Sequence, residues 1–238
     1  MFVPLHDSTP LKVIRFQAVT ITIIALNVVM YLTTGACNSD AVLQTIATGW
    51  GVVPGELTHS SSIAVPYHPV PEPFTLISYM FLHAGWWHLI SNMLFLWVFA
   101  DNIEDAYGHA AFAFLYLMSG VVAALLYVLL APTSDIPLVG ASGAVSGILG
   151  AYVVLFPRAR VWILLFLRIP LRIGAFWVLG GWFLLQVFSW WMDSANPEAG
   201  VAWAAHVGGF IAGAGLTFAI RRRLWLRLEP ESATLPER

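Results

Sequence analysis

Six apolar runs, each about as long as a membrane-spanning helix, constrain this chain more than any other feature. A straight transmembrane helix needs about 20 residues, with a range of about 17–25. The runs cover residues 16–34, 86–103, 110–131, 138–156, 173–192 and 201–220. Only 10% of the 238 residues are charged, against about 25% in soluble domains. The pattern predicts an all-α, polytopic membrane protein with six transmembrane helices.

The basic residues give these helices a direction. All Lys and Arg residues lie before the first run, between the fourth and fifth runs, or after the sixth. Basic residues favour the cytoplasmic side of short loops. We therefore expect both termini and the connection after the fourth run to be cytoplasmic. The connection 104–109 should lie on the same side, although it carries Glu104 and Asp105, because acidic residues contribute little to orientation.

The connections differ in what they predict. The loops 35–85, 132–137 and 193–200 should face outward. The first of them is long for a connection, and such loops are usually functional or disordered; its apolar residues, including Val52 and Tyr79, indicate packing against the membrane or the helices. Residues 161–167 form an apolar run between arginines that is too short to span, which predicts a segment lying in the membrane interface.

Charge and cysteine content exclude several classes of protein. The net charge of −2 gives no reason to expect a nucleic-acid partner. The single cysteine, Cys37, excludes an internal disulfide and a cysteine-cluster metal site, and we expect no metal and no cofactor. The first run is too long for a signal peptide and lacks a convincing A-x-A cleavage site. The lack of a transit-like leader favours a bacterial plasma membrane over an organelle. The oligomeric state is left open.

Two polar residues lie at similar positions in different runs. Ser142 is the fifth residue of the fourth run and His206 the sixth residue of the last run, and both runs enter from outside. At 1.5 Å per residue, both side chains lie roughly 6–9 Å below the outer end. Polar residues inside spans are functional candidates, and a serine nucleophile needs a base within hydrogen-bond reach. The shared depth predicts a serine–histidine pair.

Hydrogen-bond donors and glycines accompany this pair. His88 and Asn92 are four residues apart near the head of the second run and so share one helix face. With the backbone N–H of Ser142, they are candidate donors to a developing oxyanion. Glycines let membrane helices pack closely, and those expected to do so here are Gly140, Gly143, Gly209 and Gly213.

Each polar residue also has an ordinary structural explanation. A serine in a membrane helix often bonds its own backbone four residues back, and a histidine can bridge two helices. A transporter would require ionisable residues at mid-membrane and two similar halves, and the sequence shows neither. The agreement of depth, sidedness and glycine spacing favours chemistry.

Four short motifs resemble those of the rhomboid intramembrane serine proteases. Residues 140–143 match the family's GxSG motif, residues 88–92 its HxxxN motif, and residues 205–209 its AHxxG motif; Glu104 and Gly108 match its ExxxG pattern. Order and spacing agree from about residue 14 to 221. The resemblance implies a single rhomboid-like membrane domain over residues 1–238, with short cytoplasmic tails and a long first outer loop.

The resemblance also implies an activity. It is the hydrolysis of a peptide bond in or near the transmembrane segment of a single-span membrane protein, with Ser142 as nucleophile and His206 as general base. His88, Asn92 and the Ser142 N–H resemble the family's oxyanion site. Family analogy places substrate entry between the second and fifth helices. The alternative is a non-catalytic rhomboid-like protein that binds client transmembrane helices.

The chain departs from the family pattern at two places. Some members carry a tyrosine one turn after the nucleophile, where its ring packs on the histidine; this chain has Ser146 there. Either another ring orients His206, or its orientation is looser. Some members also carry a Trp-Arg pair in the first outer loop, which here has no arginine.

Overall fold

The computed structural model describes residues 2–36, 39–61, 69–193 and 197–229, and most of them are helical. The helices are α1 (Ala18–Thr34), α2 (Asp40–Trp50), α3 (Pro54–Leu57), α4 (Thr75–Ser78), α5 (Trp86–Tyr107), α6 (His109–Leu130), α7 (Ser142–Leu155), α8 (Ala175–Asp193) and α9 (Pro197–Leu228). The strands are β1 (Phe2–Asp7), β2 (Arg160–Leu165) and β3 (Ile169–Gly174). Single 3-10 turns cover Glu72–Phe74 and Tyr79–Phe81.

Three of the described helices are long and apolar enough to cross a membrane. They are α6, α8 and the part of α9 from Trp203 onward. Helices α1 and α7 are apolar but shorter, and the 22-residue α5 carries polar side chains such as His88, Asn92 and Asp101. The mostly helical membrane architecture is confirmed, and the count of six spans stays a prediction.

Helix α7 lies at the centre of the bundle, and residues 143–152 are all buried. At two points of its contact with α9, backbone approaches backbone. A Cβ on Gly209 would lie 2.0 Å from the carbonyl oxygen of Gly143, and a Cβ on Gly213 would lie 1.9 Å from that of Gly147. Gly140 lies outside this contact, in the turn before α7. The two helices therefore approach as closely as backbones allow, as small residues permit in membrane helices.

The all-α prediction missed a three-stranded antiparallel sheet with the strand order β1-β2-β3. Residues 161–167, which we expected to lie in the membrane interface, form most of β2 and the turn into β3. Buried Val161 and Ile163 alternate with exposed Arg160 and Trp162, the period of two that a strand with one packed face requires. Residues 161–167 are all apolar, so the alternation is one of burial and does not show in the residue types of the run.

Glu104 and Asp105 do not lie in a connection, because α5 continues to Tyr107. The buried Glu104 carboxylate accepts hydrogen bonds from the backbone N–H groups of Val19 at 2.9 Å and Thr20 at 2.8 Å, and from the Thr20 hydroxyl at 2.7 Å. The first N–H groups of a helix have no partner within it, and no side chain at the α1 N-cap supplies one. Glu104 therefore caps α1 from another helix.

Asp105 orders the segment that leads into α1. Its carboxylate accepts hydrogen bonds from the backbone N–H groups of Lys12 and Val13 at 2.7 Å and of Ile14 at 2.6 Å. These contacts give the acidic pair a role unrelated to membrane orientation. They also explain how acidic residues come to lie where the charge pattern favoured basic ones.

The described N-terminal and C-terminal segments meet the connection between α7 and α8 beside the end of α5. We call this region the basic face (Lys12, Arg160 and Arg227). Strand β1 pairs with β2, the Lys12 ammonium lies 3.1 Å from a carboxylate oxygen of Glu229, and Arg227 donates to the Tyr107 carbonyl at 3.5 Å. This grouping is what the distribution of basic residues predicted.

A buried aspartate joins the sheet to the bundle at this face. Asp7, the last residue of β1, accepts hydrogen bonds from the Asn102 amide at 2.9 Å and from the Tyr152 hydroxyl. Burial raises the pKa of the Asp7 carboxyl, which the hydrogen bonds from Tyr152 and Thr9 partly oppose. One side chain therefore fixes β1 against both α5 and α7.

The segment before α5 packs against the connection between α6 and α7. Val52 and Leu138 form an isolated antiparallel bridge, and the Gly55 N–H donates to the Ser134 carbonyl at 2.9 Å. Val52, Tyr79 and Met80 are buried. The described part of the predicted outer loop is thus packed on the helices, as its apolar residues indicated.

We expect Gly213→Ala to destabilise the protein, because its methyl group would overlap the Gly147 carbonyl. Overpacking of this kind costs about 1–3 kcal/mol. Gly215→Ala is the matched control, since no atom lies within 4 Å of the added Cβ. Thermal unfolding in detergent should give a lower midpoint for Gly213→Ala only. Equal midpoints for the two variants would contradict the close contact of α7 and α9.

Candidate active site

Ser142 and His206 are in direct contact at the interface between α7 and α9. The Ser142 Oγ lies 2.7 Å from His206 Nε2, within ordinary hydrogen-bonding distance. Ser142 is the first residue of α7, not the fifth residue of a span, and His206 lies well inside α9, which begins at Pro197. The counts from which the sequence analysis estimated depth were therefore wrong, although the two side chains do meet.

The helix starts at Ser142 because the preceding residues are held in another conformation. Leu138 pairs with Val52. Gly140 has a φ of +123°, a value that residues other than glycine rarely adopt. A Cβ on Gly140 would also lie 2.6 Å from Cε1 and 2.7 Å from Nε2 of His88. Gly140 thus allows both the turn into α7 and the close approach of the His88 ring.

The other nitrogen of His206 has a partner that the sequence analysis did not identify. Nδ1 lies 2.8 Å from Oε1 of Gln186 on α8, whose side chain is only 4% exposed. The sequence contains a signal for Gln186, because it is an amide side chain in an apolar run. Polar residues within membrane spans are functional candidates.

Two tryptophan rings adjoin the His206 ring. The ring centroid of Trp182 is 6.2 Å away and tilted by 31°, and that of Trp203 is 6.0 Å away and nearly perpendicular. The Trp203 indole N–H donates to Asp193 at 2.8 Å. Ser146 makes a local bond instead, donating to the Ser142 carbonyl at 2.6 Å. Other rings therefore adjoin His206, one of the two alternatives that the sequence left open.

His88 and Asn92 line the same cavity as Ser142 and His206, a space of about 220 Å³ between α5, α7, α8 and α9. The Asn92 side-chain amide donates to the His88 carbonyl at 2.9 Å. This hydrogen bond uses one of the two N–H groups of the amide. His88 Nδ1 lies 3.4 Å from the Ala84 N–H. Ser142 begins α7, where backbone N–H groups have no partner within the helix. The four residues thus face one another across a small cavity.

A second histidine lies behind His88, as part of the packing before α5. The rings of His83 and His88 are 5.0 Å apart in an edge-to-face arrangement. His83 is buried, and burial, together with the neighbouring His88, lowers its pKa to about 3. His83 is therefore uncharged at neutral pH and supports the His88 ring.

A second, apolar cavity lies along α5 and adjoins the cavity of Ser142 and His206. It measures about 760 Å³ and is lined by Phe2, Val3, Pro4, Leu167 and the α5 residues Trp87, His88, Ile90, Ser91, Leu94 and Phe95. His88, Ser91 and Phe95 line both cavities. Cavities that combine apolar walls with a few convergent polar groups are typical of binding sites.

The arrangement has the parts that acyl transfer requires. A hydroxyl is bonded to an imidazole nitrogen, the other imidazole nitrogen is bonded to a third group, and amide and imidazole side chains face the same space. Nucleophile, base and orienting group are recognised by these mutual contacts and not by sequence order.

Comparisons with known proteins identify a family and several relatives. Residues 71–223, more than half of the chain, match the family model described as the Rhomboid domain. Rhomboid protein 1, mitochondrial, from Saccharomyces cerevisiae is 34% identical over 148 residues, 60% of this chain and 41% of the yeast protein. The putative rhomboid protease YdcA of Bacillus subtilis is 32% identical over 142 residues, 58% of this chain and 63% of that protein.

A further relative carries a name without the word protease. The presenilin-associated rhomboid-like protein, mitochondrial, of Bos taurus is 30% identical over 155 residues, 63% of this chain and 39% of that protein. The matched stretch spans less than two thirds of each of these three relatives. The family model nevertheless covers all four site residues, Ser142, His206, His88 and Asn92. The chain belongs to the rhomboid family.

Proposed function

We propose that the protein is an intramembrane serine endopeptidase that cleaves single-span membrane proteins in or near their transmembrane segments. The observation that carries the proposal is the 2.7 Å contact between Ser142 Oγ and His206 Nε2. A serine hydroxyl is a weak nucleophile until a base takes its proton. A hydroxyl that donates directly to an imidazole is the arrangement this chemistry needs.

The proposed reaction is acyl transfer in two stages. His206 takes the Ser142 proton as Oγ attacks the scissile carbonyl, and the protonated imidazole then gives a proton to the leaving amine. Water, activated by the same imidazole, hydrolyses the acyl-enzyme and restores the serine. Each proton moves through Nε2, so one imidazole nitrogen serves both stages.

The developing oxyanion would be held by donors that face the dyad. We assign this role to the Asn92 amide, His88 and the Ser142 backbone N–H, because Asn92 and His88 line the cavity and Ser142 begins α7. Donors of this kind act strongly when they are preorganised away from bulk water. The Asn92 amide has a second N–H bond that its contact with the His88 carbonyl leaves for this purpose.

The short α7 supports a site that lies below the outer membrane surface. In the six-span arrangement we propose (α1, α5, α6, α7, α8 and α9), its 14 residues extend about 21 Å in a hydrocarbon core about 30 Å thick. With its end at the basic face, Ser142 lies roughly 9 Å below the outer boundary. Of the non-helical residues before it, Gly140 and Ala141 are buried in protein, where irregular backbone is tolerated. At this depth we expect water to reach the dyad from outside.

The substrate we propose is a single transmembrane helix that unwinds readily near its outer end. A peptide bond inside a helix must leave its hydrogen bonds before a nucleophile can reach it, and glycine or other small residues lower that cost. The apolar cavity along α5 offers lipid-like surroundings next to the polar dyad cavity. We place the protein in a bacterial plasma membrane with the basic face in the cytoplasm.

The alternative, a non-catalytic binder of client helices, has less support. A protein that only binds helices has no need of a serine and a histidine in hydrogen-bonding contact. It also has no need of a buried amide bonded to the second imidazole nitrogen.

Cleavage of a single-span test substrate should require both members of the dyad. We expect Ser142→Ala and His206→Ala to lose cleavage in liposomes, because each removes a group that takes part in bond formation. Ser119→Ala is the matched control: Ser119 is a buried serine of α6 that packs on α7. Unchanged product formation by Ser142→Ala in gel assays would rule out the dyad mechanism.

Activity should fall as the pH is lowered through the titration of His206. The protonated imidazole has no lone pair for the Ser142 proton, so cleavage is present above the pKa of His206 and lost below it. Initial rates across the acid range, with thermal unfolding midpoints at each pH to exclude denaturation, measure this. A rate that stays flat down to the lowest pH at which the enzyme remains folded would contradict His206 as base.

Loss of the Asn92 amide should slow the chemical step. Removing one oxyanion donor costs about 100–1,000-fold in kcat, so Asn92→Ala should lower kcat by about this factor with little change in KM. Asn27→Ala is the control, because the Asn27 amide makes the same kind of bond to a carbonyl four residues back, on α1. A loss of equal size in both variants would point to helix stability rather than oxyanion binding.

A further inference from the structure

We propose that Gln186 is a positioning residue that holds His206 with its proton on Nδ1, which leaves Nε2 free to accept the proton of Ser142. This inference rests on the proposed dyad chemistry and adds a third member to it. Neither the motifs nor the comparisons single out Gln186.

The identity of the bonded atoms determines the tautomer. Gln186 Oε1 lies 2.8 Å from His206 Nδ1, and a carbonyl oxygen can only accept a hydrogen bond. With Oε1 as the bonded atom, the proton of the neutral imidazole is on Nδ1. The remaining nitrogen, Nε2, then carries the lone pair that faces the Ser142 hydroxyl at 2.7 Å. The opposite tautomer would place two acceptors together at Gln186 and a hydrogen on Nε2 where the lone pair is needed.

The position of Gln186 makes this bond rigid. The side chain is 4% exposed and lines the dyad cavity together with Trp182, one turn earlier on α8. Trp182 and Trp203 adjoin the His206 ring, and Trp203 is itself held by Asp193. Packing thus limits the tilt of the imidazole, while the Gln186 carbonyl limits its rotation about the side-chain axis.

The same bond assists the charged state of the reaction. When Nε2 takes the serine proton, the Nδ1–H remains bonded to Oε1, and the amide dipole points its negative end at the imidazolium. The structure gives this role to a neutral group: among the described residues that line the cavity, the only other ionisable side chain is His88 of α5. The Asp193 carboxylate bonds Trp203 rather than His206.

A purely structural role would predict something different. If Gln186 only joined α8 to α9, its loss would lower stability without changing the pH profile of the folded enzyme. If it sets the tautomer, its loss should lower kcat in the folded enzyme, and a carboxylate in its place should change the pH dependence. These outcomes separate the two explanations.

The experiment uses the full chain in detergent with two readouts. One readout is kcat and KM for cleavage of a single-span substrate. The other is the rate at which a fluorophosphonate labels Ser142. In that reaction the Ser142 oxygen displaces fluoride from phosphorus, and the Ser142 proton passes to His206. Gln186→Met keeps the length and removes the acceptor. Gln186→Glu keeps the acceptor and adds a charge. Leu179→Met is the control for a change at a buried position of α8.

We expect Gln186→Met to lower kcat and labelling about tenfold or more with KM unchanged, and Leu179→Met to behave like the unchanged protein. Gln186→Glu should retain most of the activity at high pH, and its half-maximal rate should move to higher pH, because a carboxylate favours the protonated imidazole. If Gln186→Met does not fold, the pH profile of Gln186→Glu alone tests the positioning role of Gln186.

Two results would overturn the inference. One is a folded Gln186→Met with unchanged kcat and labelling; the other is a Gln186→Glu profile that coincides with that of the unchanged protein. Failure of the proposed function itself is distinguishable, since it would appear as the absence of labelling at Ser142 and of Ser142-dependent cleavage in the unchanged protein.

Discussion

The backbone contact between α7 and α9 is the constraint on which the site depends. A serine side chain is short, so its oxygen reaches an imidazole on a neighbouring helix only if the two helix axes are close. Gly209 and Gly213 allow this by leaving room for the carbonyl groups of Gly143 and Gly147. In lipid there is no hydrophobic driving force between helices, so close packing of this kind supplies much of the association. The 2.7 Å contact of the dyad follows from the same geometry.

Local sequence patterns were enough to find the two groups for which we propose a chemical role, and not enough to place them in their helices. Ser142 and His206 could be recognised because polar residues in apolar runs are rare and costly. The helix positions from which their depth was counted were wrong, because hydropathy does not show where a helix starts. The start of α7 is set by the Leu138–Val52 bridge and the positive φ of Gly140, which depend on contacts far apart in the chain.

Two of the features that sequence reasoning missed are contacts between residues far apart in the chain. Glu104 caps α1 across about 85 residues of chain, and β1 pairs with a hairpin more than 150 residues away. No periodicity within either segment specifies such a partner. Both contacts satisfy backbone groups that would otherwise be left without partners near lipid, where each costs several kcal/mol. The basic face is therefore stabilised by hydrogen bonds to backbone groups, in addition to the charge distribution from which we predicted its orientation.

The same demand for satisfied polar groups explains why an amide, and not a carboxylate, would suit the third position beside His206. Burying an unpaired carboxylate has a large desolvation free energy. In a buried ion pair, the desolvation of the two charges offsets much of the attraction between them. Gln186 supplies an acceptor of fixed direction without a net charge, so the site stays neutral until the serine proton moves. An imidazolium formed then meets the amide dipole already aligned with it. Preorganised dipoles require no rearrangement at the moment of reaction, which is what a dyad buried between apolar helices needs from its neighbours.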